Sequence, residues 1–454
     1  MNRRLDLTTG DIKSLIFKLS IPASVGFFFN TMFNVVDTYF AGHISTRSLA
    51  ALGLSFPVFF LIISFGSGFS TGTTALIGNA LGEGNEKEGR SFAVQGLVFG
   101  FFFSLILAAA GYASSPFLFS VLGAEEAYLE EALRYMRTIF LGTTFFFLNY
   151  MCNAVLTALG DTRSFRNFLI IGFGLNCLLD PLFILGWFGL PKMGIRGVAL
   201  ATVIIQAGGT VYLIVRVFKS GLLDNLRLKE FIPDVKRWKA ILGQGIPASL
   251  NLLTIAAGIF VITYYVGRFG PQAVAAYGAA VRIEQIALLP SLGFNISTLT
   301  LVARNSGAGA HERIWETLRK TMRFGAFIML SGAVLVFVFA RPVISLFTED
   351  SVVIEIGTLY LKIDAFVLYA YVLLGIHVST LQGIKKPVFP VIIGLYRQIF
   401  APLLVFYLLT ETAGMGIAGV WWGILIITWS AALIALICAR STLKKEIETG
   451  QLRA

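Results

Sequence analysis

Three polar side chains recur along one face of an otherwise apolar stretch: Asn30, Asn34 and Asp37, spaced i, i+4 and i+7. Asn176 and Asp180 repeat the device at i, i+4, as do Asn149 with Asn153 and Thr202 with Gln206. Two carboxylates set among amide and hydroxyl oxygens have two uses. Burial and a second carboxylate nearby favour a bound proton, whereas hard oxygen ligands suit a small cation such as sodium. Simple hydrogen-bonded glue between helices competes for the Asn, Thr and Gln side chains. It fits Asp37 and Asp180 less well, because ionisable groups at membrane depth are costly. Pro181 follows Asp180 and cannot donate to the carbonyl of Cys177, which leaves that oxygen free beside the carboxylate.

The second half of the chain carries a different set. Glu284 lies close to Arg282 and Gln285, and Arg397 falls within a later apolar stretch. Pairing of Glu284 with either arginine would neutralise both; alternatively the three form a second ion or substrate site. Asp364, shortly after Lys362, reads as an interfacial ion pair near the end of its span, and His377 as a packing histidine.

The elements that must position these groups are membrane helices. About 56% of the 454 residues are hydrophobic and only 13% are charged, against roughly a quarter charged in soluble domains. One water-soluble core cannot absorb that excess, and the same figures exclude disorder. The apolar runs are long, continuous and rich in Gly, which fits helices and not the short alternating strands of an outer-membrane barrel. Twelve spans are expected, near 15–42, 49–78, 91–113, 132–158, 165–189, 194–218, 240–267, 274–303, 321–340, 356–382, 387–409 and 414–440. The first is read as an uncleaved helix and not a signal peptide. Cys152, Cys177 and Cys438 all fall in apolar runs and read as small packing residues.

Charge placement gives orientation. Of the 36 Lys and Arg, with charges near span ends counted with the adjoining loop, the termini and the loops after even-numbered spans hold 26 and the loops after odd-numbered spans hold 7; Arg282, Lys362 and Arg397 are left to the spans themselves. That asymmetry puts both termini in the cytoplasm of a cell-membrane protein. The net charge of +11 is thus a topology signal and not a nucleic-acid surface.

The chain also repeats. At an offset of 225, Ser20-Ile-Pro-Ala-Ser24 matches Gly245-Ile-Pro-Ala-Ser249, Gly53 matches Gly278, Gly68-Phe69 matches Gly293-Phe294, and Gly84 matches Gly309. At 222, Gly194-Ile-Arg-Gly-Val198 matches Gly416-Ile-Ala-Gly-Val420. The fold class expected is an all-α polytopic membrane protein: twelve transmembrane helices in two six-helix lobes related by a parallel pseudo-two-fold. The lobes are 1–218 and 240–454, the second with a short cytoplasmic tail, joined by a cytoplasmic linker at 219–239 that mixes Leu222, Leu223, Leu226, Phe231 and Trp238 with Arg227, Lys229, Lys236, Arg237 and Lys239; it reads as an interfacial amphipathic segment, with a plain solvated loop as the alternative. The equivalents of Asn30, Asn34 and Asp37 are Ile255, Ile259 and Ile262, so the polar triad belongs to one half alone. Pro22 and Pro247 mark kinks. No phosphate-binding loop, H-E-x-x-H, G-x-S-x-G or CxxC is present, so the protein is not read as an enzyme or an ATP-driven pump.

Taken together, the Pro-Ala-Ser entry to span 1, Asn34-Val-Val-Asp37-Thr-Tyr-Phe-Ala-Gly42, Gly160-Asp161-Thr162-Arg163 and Asn176-Cys-Leu-Leu-Asp180-Pro181 resemble the multidrug and toxic compound extrusion (MATE) family over nearly the whole chain. The acidic pair in the first lobe is similar to that of its prokaryotic DinF-like branch. The resemblance implies antiport of cationic or amphiphilic organic compounds against inward sodium or protons. It further implies ion-site roles for Asp37, Asn176, Asp180 and Thr202 and a bending role for Pro22. Members with a site in the second lobe use a span 8 glutamate, to which Glu284 corresponds, and a span 10 aspartate, for which Asp364 is read as lying too near its helix end. No cofactor is expected beyond the coupling ion. The expected partners are small organic cations and membrane lipid, not nucleic acid, and the expected state is a monomer. A flippase for lipid-linked sugars, of related architecture, is the alternative; it calls for a cavity rich in Arg and Lys.

Overall fold

The computed structural model describes residues 5–122, 126–224 and 226–449; the last residues of the expected cytoplasmic tail lie outside them. Every regular element among these residues is helical. In chain order they are α1 (Ile12–Ile44), α2 (Thr46–Gly82), α3 (Glu86–Val121), α4 (Glu126–Ala158), α5 (Arg163–Leu185), α6 (Ile195–Phe218), α7 (Val235–Gly267), α8 (Pro271–Gly307), α9 (His311–Ser345), α10 (Ser351–Asp364), α11 (Leu368–Gly383), α12 (Val388–Leu395), α13 (Ala401–Tyr407) and α14 (Ile417–Glu448). Eleven helical stretches are long and apolar enough to cross a bilayer, with Val388–Thr412 as one; α10 and α11, bent by 50°, pass as a twelfth broken span. Two π-helical turns, Tyr396–Phe400 and Leu408–Thr412, interrupt the span built on α12 and α13.

The repeats are visible as matched turns. Gly84 and Gly309, at φ of 74° and 66°, close the short connections α2–α3 and α8–α9, where a side chain would be strained. Gly194 and Gly416, at 55° and 58°, precede α6 and α14 in the same way. Ser45, Asn85 and Asp350 accept backbone N–H groups at the starts of α2, α3 and α10.

By internal packing the chain forms two compact units, one containing Val25–Ser249 and the other Asp6–Ser24 with Leu250 onward. Each boundary falls inside a continuous helix, α1 and α7, just past Pro22 and Pro247. The repeated serines and glycines account for this. In the first unit, a Cβ at Gly68 of α2 would stand 2.2 Å from Ser249 Oγ on α7. In the second, a Cβ at Gly293 of α8 would stand 2.2 Å from Ser24 Oγ on α1. The opening half of each of these two helices thus seats on the glycine of the other repeat.

Within the first unit α4 is central, packed on α2, α3 and α6. Around it lies an aromatic core in which Phe69 stacks edge-on to Phe99 and Phe103 at 4.9 and 4.8 Å. In the second unit α11 takes the corresponding place against α8, α9 and α14.

Candidate ion-binding site

The first unit gathers most of the polar faces read from the sequence onto one cavity. Asn30, Asn34 and Asp37 of α1, Asn149 of α4, and Thr202 and Gln206 of α6 line it. Asn176 and Asp180 of α5 are not on its surface; both are fully buried, and Asn176 donates its amide to Asp37 Oδ1 at 2.9 Å. The Asp37 and Asp180 carboxyl groups lie within electrostatic reach of each other. Asp37 is 5% exposed and is the point at which this cluster meets the cavity.

Several oxygens here lack a donor. Asn176 Oδ1 and both carboxylate oxygens of Asp180 are buried without a hydrogen-bond partner among the described residues. Thr202 spends its hydroxyl hydrogen on the carbonyl of Val198, at 3.0 Å, and keeps its lone pairs. No Lys, Arg or His lines the cavity among the described residues. Two buried carboxyl groups this close, without a fixed counter-charge, are eased by a bound proton or a cation. No group of three or more His, Cys, Asp or Glu side chains able to hold a metal occurs among the described residues. The donor set is one of hard oxygens, which suits a proton or a small cation.

The remaining expected residues sort by packing. Asn149 bridges α4 to α6 by donating to Gln206 Oε1 at 2.7 Å and to the Gln206 carbonyl at 3.0 Å. Asn153, one helical turn further along α4, is off the cavity, and its Oδ1 accepts from Thr157 at 3.2 Å. The cavity volume, about 100 Å³, suits an ion with a few waters. It is short of the roughly 300 Å³ or more that an organic ligand requires.

Tyr135 of α4 went unread in the sequence. It is buried, lines the cavity and stands within electrostatic reach of both carboxylates. One signal could have found it: at the repeat offset of 225 it corresponds to Tyr360.

Tyr360 belongs to a second cluster, in the second unit. Its hydroxyl donates to Glu284 Oε2 at 2.5 Å, and the Tyr371 hydroxyl also faces Glu284. Arg282 is exposed, and among the described residues no ion pair joins it to Glu284; two positions apart on a helix, the side chains point to different faces. Arg397 lies in the first π-helical turn, its guanidinium 4.8 Å from the centre of the Tyr371 ring. It acts on Glu284 and Asp364 electrostatically without a direct ion pair.

Asp364 corrects the expectation of an interfacial ion pair. It is 1% exposed, both of its carboxylate oxygens lack hydrogen-bond partners among the described residues, and Lys362 instead packs over the ring of Phe337. Its span starts at Ser351, earlier than the apolar run indicates, so Asp364 is carried roughly 20 Å along the helix to the bend before α11. His377 is fully buried, its Nδ1 2.6 Å from the Leu373 carbonyl, as expected of a packing histidine.

The MatE family model matches residues 22–182 and 247–408. A probable multidrug resistance protein NorM of Thermotoga maritima is 28% identical over 438 residues, covering 96% of this chain and 91% of that protein. An FAD transporter of Shewanella oneidensis is 28% identical over 412 residues, covering 89% of each. Among solved structures, the outward-facing conformation of a multidrug resistance MATE family transporter superposes with a TM-score of 0.91 at 26% identity, over 98% of this chain and 99% of that one.

Proposed function

The chain belongs to the MatE family of multi-pass membrane transporters, and on that premise we propose that it is a secondary-active antiporter exporting cationic or amphiphilic organic compounds in exchange for an inward proton or sodium ion. The observation that carries this reading is the buried Asp37–Asn176–Asp180 cluster, with donor-less oxygens and no basic partner, opening on a cavity through Asp37. In this reading the coupling ion enters at Asp37, is held by Asp37, Asn176, Asp180 and Thr202, and neutralises the carboxyl pair. The placement of the pair on α1 and α5 supports assignment to the DinF-like branch. Both termini are assigned to the cytoplasm on the distribution of Lys and Arg.

Coupling is assigned to the first unit because its carboxylates lack a counter-charge. In the second unit Arg397 already supplies one to Glu284 and Asp364. One ion crossing 100 mV contributes roughly 2.3 kcal/mol, so one or two ions suffice to drive export without a nucleotide site. Asn30, Asn34, Asn149 and Gln206 form the polar wall that widens to admit substrate, with Pro22 as the flexible point of α1. The alternative, a flippase for lipid-linked sugars, expects cationic side chains for a pyrophosphate; the cavity lining offers none.

The test is uptake of a fluorescent organic cation, added outside, by inside-out proteoliposomes loaded first with sodium and then with acidic buffer, giving outward sodium and proton gradients of equal size. Uptake under at least one gradient, lost in Asp37→Asn, is the expected result. Equal uptake with no gradient, or undiminished uptake by the variant, overturns the reading.

A further inference from the structure

The segment before α7 presents side chains that the transport reading does not use. A 3₁₀ turn at Leu228–Phe231 leads into the start of α7. Leu228, Ile232 and Val235 are 89%, 64% and 64% exposed, and Phe231 is exposed beside them. Leu228 and Phe231, three apart in the 3₁₀ turn, share one face of it, and Ile232 and Val235 continue the exposed apolar stripe along the chain into α7. Arg227, Lys229, Lys236 and Lys239 flank the stripe, all exposed.

The backbone beneath is held firmly within the first unit. Gln95 of α3 donates to the carbonyls of Glu230 and Ile232, both at 2.8 Å, and accepts from the Asp234 N–H at 3.0 Å. Trp238 packs on Phe99 and Phe102, and Leu222 and Leu223 are buried. The acids of residues 226–239 are both committed: Glu230 pairs with Arg90 at 3.2 Å, and Asp234 pairs with Arg237, which also reaches Glu88 at 2.7 Å. What remains outward is an apolar stripe with four unopposed cations, fixed between two membrane spans.

We propose that residues 226–239 form a docking surface for anionic phospholipid headgroups, with Leu228, Phe231, Ile232 and Val235 entering the acyl boundary and Arg227, Lys229, Lys236 and Lys239 meeting the phosphates. Charge complementarity selects this occupant: neutral lipid satisfies the stripe but not the cations, and an apolar protein partner would strand them. Preference for anionic over neutral lipid then falls on the order of five-fold for each cation removed. The inference needs only that α6 and α7 span the bilayer and is independent of what is transported.

The experiment places a spin label at Leu228→Cys in the full chain with Cys152, Cys177 and Cys438 replaced by Ser. The protein is reconstituted in phosphatidylcholine vesicles and in phosphatidylcholine–phosphatidylglycerol vesicles, and label depth is read from collision with oxygen against a water-soluble nickel chelate. The expected result is deeper immersion with phosphatidylglycerol, reversed by high salt and by the Arg227→Gln, Lys229→Gln, Lys236→Gln, Lys239→Gln variant. Equal depth in both vesicles, or insensitivity to salt, overturns the proposal. So does shielding that persists in detergent and grows with protein concentration, which would mark a second copy as the occupant. Acetylation of Lys229 and Lys236 in the unmutated protein, read by mass spectrometry, gives the same comparison if the cysteine-free chain does not fold; protection specific to phosphatidylglycerol supports the proposal and its absence overturns it.

Discussion

Asn176 Nδ2 lies 2.9 Å from Asp37 Oδ1, joining helices whose contacting residues are 139 positions apart in the chain. One amide donor cannot satisfy two interacting carboxyl groups, and Asn176 Oδ1 together with both Asp180 oxygens is left over. On the function proposed above, this leaves the pair ready for a positive charge that the protein does not itself provide.

Replacing Asp37 with Asn removes the charge and keeps an acceptor for Asn176. We expect ion-driven efflux to be lost while the thermal unfolding midpoint in detergent stays level or rises, since a desolvated charge has gone. Asn176→Leu is expected to behave differently. It strips Asp37 of its donor and leaves a buried carboxylate unpartnered, at a cost of about 2–4 kcal/mol, so both activity and the midpoint fall.

Two repeated glycine pairs that look alike in the sequence separate in the structure. Gly68 and Gly293 face Ser249 and Ser24, and the obstruction includes backbone: Ser249 N at 2.4 Å and the Ser20 carbonyl oxygen at 2.4 Å. Gly53 and Gly278 have nothing within 4 Å. Gly68→Ala or Gly293→Ala should destabilise by about 1–3 kcal/mol, and Ser249→Gly should fail to rescue Gly68→Ala because backbone atoms remain in the way. Gly53→Ala and Gly278→Ala should be neutral or gain up to about 1 kcal/mol of helix propensity. Thermal unfolding of the four single variants and the double variant checks this.

What the sequence revealed tracks how local each signal is. Asp37, Asn176 and Asp180 announce themselves by i, i+4 spacing in apolar runs, and the repeated glycines by their offset. Tyr135 does not, because one tyrosine among 14 carries no local mark. Asp364 was misplaced because Glu355 and Lys362 shorten the apparent apolar run, and because the bend at residues 365–367 contains neither Pro nor Gly. The seating of the first halves of α1 and α7 on the other repeat's glycine is a tertiary fact. Only the pairing of Ser24 with Ser249 and of Gly68 with Gly293 hints at it.

At the start of the chain, Asp6 accepts from the backbone N–H groups of Thr8 and Thr9, at 2.9 and 3.0 Å, and from both hydroxyls. These bonds, the Thr9 hydroxyl foremost, hold its carboxyl well below the usual carboxylate range. A depressed folded-state value means the stabilisation is complete above the unfolded value, about 4, and is lost as pH falls from there through the folded value. Leu7, buried beside this turn, offers its carbonyl to Asn305 at 3.2 Å. Hydrogen exchange at the Thr8 and Thr9 amides, corrected for intrinsic rate, should stay protected from neutral pH down to about 4 and loosen below it. In Asp6→Ala the protection should be absent at every pH.

Tyr360 offers the sharpest test of the second cluster, because its hydroxyl is the short donor to Glu284, at 2.5 Å. Removing it in Tyr360→Phe leaves the buried Glu284 carboxyl with the Tyr371 hydroxyl and the more distant charge of Arg397. A lost hydrogen bond to a charged group costs about 1.5–3 kcal/mol, and the midpoint should drop accordingly. Glu284→Gln combined with Tyr360→Phe removes the charge along with its donor, so the double variant should be more stable than Tyr360→Phe alone. Tyr135→Phe is the matched control at the equivalent repeat position. Its hydroxyl makes no such short bond to Asp37 or Asp180, so its midpoint should move less, and any loss of function should appear in ion-driven transport and not in stability. If Tyr135→Phe proved the more destabilising of the two, the carboxyl pair of the first unit would depend on a structural donor and could not be free to exchange its ion.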